Sequence, residues 1–146
     1  MREILFRGKQ VSDGEWIEGY VFPQVIDGGY APLCITTEPI CANDYSEILG
    51  DWAIVDSSTV GQYTGLTDKN GKKIFEGDIC KFREWDNGEM CWIGYVHFEH
   101  CQFIISGGAN KECPSNFYLV LSRFSSENIE VIGNIHDNPE LLEVEE

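Results

Sequence analysis

The residues whose types and spacing come nearest to known chemistry lie between Val60 and Cys80, in the stretch VGQYTGLTDKNGKKIFEGDIC. Glycines beside a Lys-Lys pair suggest a phosphate loop, and alternating acids and amides suggest a calcium loop. A phosphate loop needs two glycines four residues apart, then Lys and a hydroxyl residue that reaches magnesium. Here Gly65 and Gly71 enclose five residues, and Lys73 stands where Ser or Thr is required. The segment also runs into a strand pattern, KKIFEGDIC, and not into a helix. As a calcium loop, Asp68, Asn70 and Lys72 would take the first, third and fifth positions. The glycine then falls at the fourth position, and Ile79 replaces the bidentate glutamate at the twelfth. Both readings fail. What remains is a pair of turns. Asn70-Gly71 tolerates positive φ and Asp68 bonds back to nearby amides. Gly77 permits a left-handed backbone, and Asp78 satisfies amides before the next strand begins.

Other reactive side chains are sparse. His97, Glu99 and Cys101 would share one face of a continuous strand and offer zinc or Cys-His chemistry. Glu99-His100 reads as a turn, which breaks that register and leaves a polar hairpin end. His136 adjoins Asp137, but no Gly-x-Ser-x-Gly elbow accompanies it. The six cysteines (Cys34, Cys41, Cys80, Cys91, Cys101 and Cys113) are 7, 39, 11, 10 and 12 positions apart. That spacing lacks the close pairs of zinc ribbons and redox motifs, so the expectation is free thiols, no metal and no cofactor. No catalytic residue stands out, which makes a binding protein a better reading than an enzyme.

A modest basic cluster, Lys69, Lys72, Lys73, Lys81 and Arg83, lies near Trp85, Trp92 and Tyr95 in the sequence. Cations beside aromatic rings are the ingredients of a single-strand nucleic-acid platform. The formal net charge of −15 opposes it. Between Lys9 and Lys69 there are ten acids and no Lys or Arg, and Asp137 to Glu146 adds five acids and no base. Such a field repels phosphate backbones and anionic membranes, and it favours solubility or a basic partner. Lys72, Lys73, Lys81, Arg83, Trp85, Trp92 and Tyr95 are accordingly the candidate interaction surface, with protein rather than nucleic acid as the partner.

These residues must be held by strands. A composition 42% hydrophobic and 12% aromatic with 15 glycines is that of a globular, mainly β chain. REILFRG and WIEGYVF predict a hairpin turning at Ser12 to Glu15. Trp16, Glu18 and Tyr20 fall on one face of it, and Ile17, Gly19 and Val21 on the other. Residues 23–50 are broken by Pro and Gly and predict short strands and loops, with a helical turn at Tyr45 to Leu49. WAIVD reads as a buried strand. ICKFREW, CWIGYVHF and CQFIIS predict a three-stranded meander, its first turn at Asn87-Gly88. NFYLVLS and IEVIGNIH supply two further strands that could close a small barrel. Asn138 and Pro139 predict a short C-terminal helix. MREILFRGKQ lacks the apolar core of a signal peptide, and no run reaches the roughly 18 apolar residues of a membrane helix, so a cytoplasmic location is expected.

Four segments taken together resemble the YopX-like family of bacteriophage and prophage proteins: MREILFRGK, DGEWIEGY, TVGQYTGLTDKNGKKIFEGDI and EVIGNIHDNPELL. Their order and spacing match the family over nearly the whole chain. The resemblance implies a phage or prophage origin, a mainly β fold with a C-terminal part similar to an SH3-type barrel, and self-association. It implies no reaction. The combined expectation is a β-rich subdomain over 1–66 and an SH3-like barrel over 67–146, in an accessory or regulatory protein that acts through protein contacts. A small enzyme acting on nucleotides or nucleic acid, or a nucleic-acid-binding barrel, is the alternative.

Overall fold

The computed structural model describes residues 3–23, 32–38, 51–83, 92–108 and 116–143. The chain divides into two compact units, Met1–Tyr63 and Thr64–Glu146. In the first, β1 (Phe6–Lys9), β2 (Trp16–Pro23), β3 (Leu33–Thr36) and β4 (Trp52–Ile54) form an antiparallel array in the order β4-β3-β2-β1. The opening residues of β5 (Gly61–Thr67) join on the far side of β1, with Phe6 opposite Gln62.

The β1–β2 hairpin forms as the alternation predicts, with Phe6 paired to Gly19 and Lys9 to Trp16. Its turn is closed by the Gln10 N–H on the Glu15 carbonyl and the Gly14 N–H on the Gln10 carbonyl. Ile17 packs with Ile35 and Val55, and Phe6, Val21, Leu33, Ala53 and Val60 pack around them. Gly19 lies where a Cβ would sit 1.9 Å from the Thr36 carbonyl oxygen, so only glycine lets β2 and β3 approach. On the opposite face the Arg7 guanidinium stacks 4.7 Å from the Trp16 ring centre, a cation–π contact.

WAIVD does not form the buried strand its composition predicts. β4 is the last strand of the array, and Trp52 and Ile54 are exposed while Val55 alone is buried. Alternation explains the outcome: an edge strand with one face on a thin core leaves its other face uncovered. The backbone edge itself is largely sealed. The Val11 N–H donates to the Ile54 carbonyl at 3.0 Å, and the Asp56 N–H donates to the Lys9 carbonyl at 2.8 Å. Asp56 then caps a 3-10 turn, Ser57–Thr59, by accepting the Ser58 N–H.

In the second unit, β6 (Lys73–Phe75), β7 (Asp78–Phe82), β8 (Trp92–Glu99), β9 (Gln102–Gly107), β10 (Phe117–Val120) and β11 (Ile129–Asn134) follow the end of β5. Five of them form an antiparallel sheet in the order β10-β9-β8-β7-β11. The β7–β8 and β8–β9 pairings are the expected meander. The expected turn at Asn87-Gly88 and the helical turn at Tyr45 to Leu49 lie outside the described residues.

One face of this sheet forms the core. Cys80, Phe82, Val96, Ile105, Leu121 and Ile129 are buried there, with Trp92, Phe117, Leu119 and Phe124 against them. The Phe82 ring on β7 lies 5.2 Å from that of Phe117 on β10 and 4.8 Å from that of Phe124. In a flat sheet, positions three strands apart stand about 14 Å from each other. Contact between those rings therefore requires a strongly curled sheet. Gly94 and Gly107 make room for it, since a Cβ at either would come within 2.8 Å of the Phe117 ring.

Curling does not become closure. β10 and β11 are the two outer strands of the sheet, so the expected SH3-like barrel is replaced by an open antiparallel sheet. The rings that fill the bend bury its apolar face without a ladder between the outer strands. The expected C-terminal helix is a 3-10 turn, Pro139–Leu142. Four residues are too few to nucleate an α-helix, and the Asn138 side chain accepts the Asn134 N–H instead of capping the turn. Among the described residues no helix is long and apolar enough to cross a membrane.

Candidate functional site

The two turns of VGQYTGLTDKNGKKIFEGDIC are built by buried carboxylates. Asp68 accepts the N–H groups of Asn70 and Lys72 on Oδ1, each at 2.9 Å, and that of Val131 on Oδ2 at 3.0 Å. One side chain thus closes the turn and ties it to β11. Gly71 takes φ +78 beside Asn70. In the second turn Gly77 takes φ +86, and Asp78 Oδ2 accepts the Phe75 N–H at 2.8 Å. Gly77 also donates to the Val96 carbonyl and accepts the Ile135 N–H, which fixes the turn to β8 and to the chain beyond β11. Both carboxylates are committed to backbone amides.

The cationic and aromatic residues singled out in the sequence are distributed among several roles. Lys72 is exposed in the first turn and Lys73 half-buried on β6. Lys81 on β7 stands opposite Glu130, which itself pairs with Lys69 at 3.1 Å. Arg83 donates from Nε to Asn128 Oδ1 at 2.8 Å and reaches the Glu127 carbonyl, bracing the end of β7. Trp92 lies on the core face, its ring 5.3 Å from Phe117. Tyr95, three residues on, lies on the opposite face. Trp92 and Tyr95 therefore do not share one surface. Trp85, Asn87 and Gly88 lie outside the described residues.

Tyr95 belongs to a different constellation, on the face of β8, β9 and β10 opposite the aromatic core, where Ile79 and Ile104 are also buried. Cross-strand pairing sets Tyr95 opposite Ser106 and Ser106 opposite Tyr118, with His97 one step along β8. The His97 ring is 5.0 Å from Tyr95 and 5.9 Å from Tyr118, meeting the latter at 64°. His97 Nε2 is hydrogen-bonded to Ser106 Oγ at 2.9 Å. The Tyr118 hydroxyl donates to Glu99 Oε2 at 2.7 Å, and this bond raises the Tyr118 pKa, with burial and the carboxylate charge adding to it. A hydroxyl on an imidazole that faces a carboxylate has the outline of a nucleophile, base and orienter. The Glu99 Oε2 to His97 Nδ1 distance of 3.7 Å is too long for the hydrogen bond that would hold the ring. The group is instead a corner of two rings with a carboxylate at its rim.

His100 and Cys101 follow directly beside that corner. They form the β8–β9 turn with φ of 51° and 63°, the positive-φ pair that a two-residue hairpin requires. The turn falls one residue later than the expected Glu99-His100, so Glu99 stays in β8 with His97 while Cys101 leaves the strand. Cys34 and Cys80 are buried and Cys101 is exposed. Among the described residues no group of three or more His, Cys, Asp or Glu could hold a metal ion.

The first unit offers a surface of another kind. Trp52 and Ile54 project from one face of β4, 44% and 39% exposed, and Val11, hydrogen-bonded to Ile54 through the backbone, is 65% exposed. The Phe22 ring extends this face, 6.2 Å from that of Trp52. Asp51 and Asp56 flank it in the chain, and both are exposed.

Ser106 and Tyr118 were not singled out in the sequence. A two-residue turn at His100-Cys101 fixes Tyr95 opposite Ser106 by counting, so that partner carried a signal. Tyr118 did not, because the connection after Gly108 is too long to set a register.

Three comparisons bear on the chain as a whole. The family model described as YopX protein matches residues 6–143. No curated protein matches. The crystal structure of protein EF1440 from Enterococcus faecalis is similar, at 27% identity and a TM-score of 0.56, over 98% of this chain and 100% of that one.

Proposed function

The chain belongs to the YopX protein family, and from that premise we propose that it is an accessory or regulatory protein of phage or prophage origin, working in the bacterial cytoplasm through protein contacts. The observation that carries this reading is the exposed apolar strand β4, with Trp52, Ile54 and Val11 together at the surface. Contiguous exposed apolar side chains mark contact surfaces, and tryptophan is the residue most enriched at their energetic centres.

The partner is a basic protein. The unit that carries β4 holds ten acids against three bases, and the whole chain stands at −15. A second copy would bring the same charge to the same face. The homo-oligomer implied by the family resemblance is therefore the competing occupant, and salt separates the two. Capture of a basic partner weakens as salt rises, whereas self-association of a like-charged chain strengthens.

Affinity capture from host lysate over a salt series, beside sedimentation of the protein alone, tests the reading. A basic protein retained at low salt and released at high salt supports it. Retention of no basic protein at any salt overturns it, as does a homo-oligomer that occludes Trp52.

A further inference from the structure

We propose that the ring corner formed by His97, Tyr118 and Glu99 on β8 and β10 is a recognition site for an arginine side chain of that basic partner. The proposal rests on the protein-contact reading above and assigns to it a second, chemically specific element. His97 and Tyr118 meet edge to face, their ring centres 5.9 Å apart at 64°, so His97 braces the Tyr118 ring from one side. Tyr118 is 52% exposed, which leaves its ring accessible to a ligand. At the rim stands Glu99, whose side chain is 46% exposed.

A cation is attracted to the negative face of an aromatic ring and gains further from a carboxylate beside it. Guanidinium fits both demands better than ammonium. Its plane stacks on a tyrosine ring, and its fork of N–H groups reaches a carboxylate at the same time. The hydrogen bond from Tyr118 holds Glu99 Oε2 at 2.7 Å and so fixes the carboxylate beside the ring. Oε1 lies 4.0 Å from His100 Nδ1, a long contact that an incoming guanidinium can replace. Lys81, the lysine on this face of β7, is opposite Ile93, six residues from Glu99 along β8. That separation is about 20 Å, beyond the reach of a lysine side chain.

The test is a two-dimensional NMR titration of the full chain with a tetra-arginine peptide and with its neutral tetra-citrulline counterpart. The expected result is saturable shifts at His97, Glu99 and Tyr118 with arginine and at least tenfold weaker binding of citrulline. Glu99→Gln and Tyr118→Leu should each weaken arginine binding at least tenfold, while Tyr118→Phe, which keeps the ring but frees the carboxylate, should weaken it less than Tyr118→Leu. Both positions are exposed, and preserved spectral dispersion confirms that the variants fold. Equal binding of the two peptides, or affinity unchanged by Glu99→Gln, overturns the proposal. Shifts confined to the surroundings of Trp52 overturn it too, and leave the protein-contact reading standing. Shifts nowhere overturn it, and capture from lysate then decides the earlier reading independently.

Discussion

The two units differ in how much of their aromatic surface they gather into a core. The second curls its sheet until Trp92, Phe117 and Phe124 pack against buried Phe82 in one aromatic core, and keeps only Phe98 and Tyr118, among its described aromatic residues, largely exposed. The first builds a smaller core on Ile17, Ile35 and Val55 and leaves Trp52 and Ile54 on its surface. A ring inside a packed cluster stabilises the fold. A ring on an exposed strand contributes little to the fold and is available for binding. The contrast separates residues that hold the molecule together from residues that meet another.

The largest effect expected from this contrast is at Phe82. Phe82→Ala should cost about 3–5 kcal/mol of stability, since it removes the ring on which the curl closes. Trp52→Ala should cost less than about 1 kcal/mol, as surface substitutions do. Urea unfolding of both variants measures the difference, and equal losses would erase the distinction between the units.

Next comes Asp68, whose carboxylate accepts three backbone amides. Asp68→Ala should cost about 2–3 kcal/mol. Hydrogen exchange should quicken at Asn70, Lys72 and Val131, and unchanged protection there would show that the turn holds without its carboxylate.

A smaller loss is expected from Gly77→Ala. Space is not the obstacle, because a Cβ would lie 3.6 Å from the nearest atoms of His136 and Ile135. The positive φ alone sets the cost, about 1 kcal/mol, readable as a small fall in the unfolding midpoint.

The smallest effect is a titration. Tyr118 should ionise above the ordinary tyrosine range because its proton is bonded to Glu99, and Glu99→Gln should bring it back toward that range. The sign for stability follows from linkage. A tyrosine pKa raised on folding favours the fold below the unfolded value, and that contribution is lost as pH rises through the folded one. Ultraviolet absorbance between pH 8 and 12, a range chosen to bracket the usual value of about 10, measures it.

Much of this architecture was legible in the sequence. The β-rich runs REILFRG and WIEGYVF around a polar turn, and those after Ile79, predicted the hairpin and the meander. Asp68 and Asp78 were readable as turn-makers because short carboxylates beside glycine bond locally. The fate of WAIVD was not readable. Its composition is that of a core strand, and Trp52 and Ile54 are exposed because they alternate onto the face of an outermost strand that the small core does not cover. Closure of the second sheet was hidden for a related reason: alternation tells which side chains share a face, and not whether the outer strands meet. The ring corner was half visible. His97 and Glu99 share a strand, but Tyr118 reaches them across a long connection that no local pattern registers.

The most direct test of the central claim compares capture from host lysate by the wild-type protein with capture by the Trp52→Ser, Ile54→Ser double variant, at matched concentration and low salt. Both changes are at exposed positions, and unfolding midpoints verify that the fold is kept. The account predicts that the basic partner retained by the wild type falls at least tenfold with the variant. Equal retention by the two proteins would contradict it, because the exposed strand would then have no part in binding.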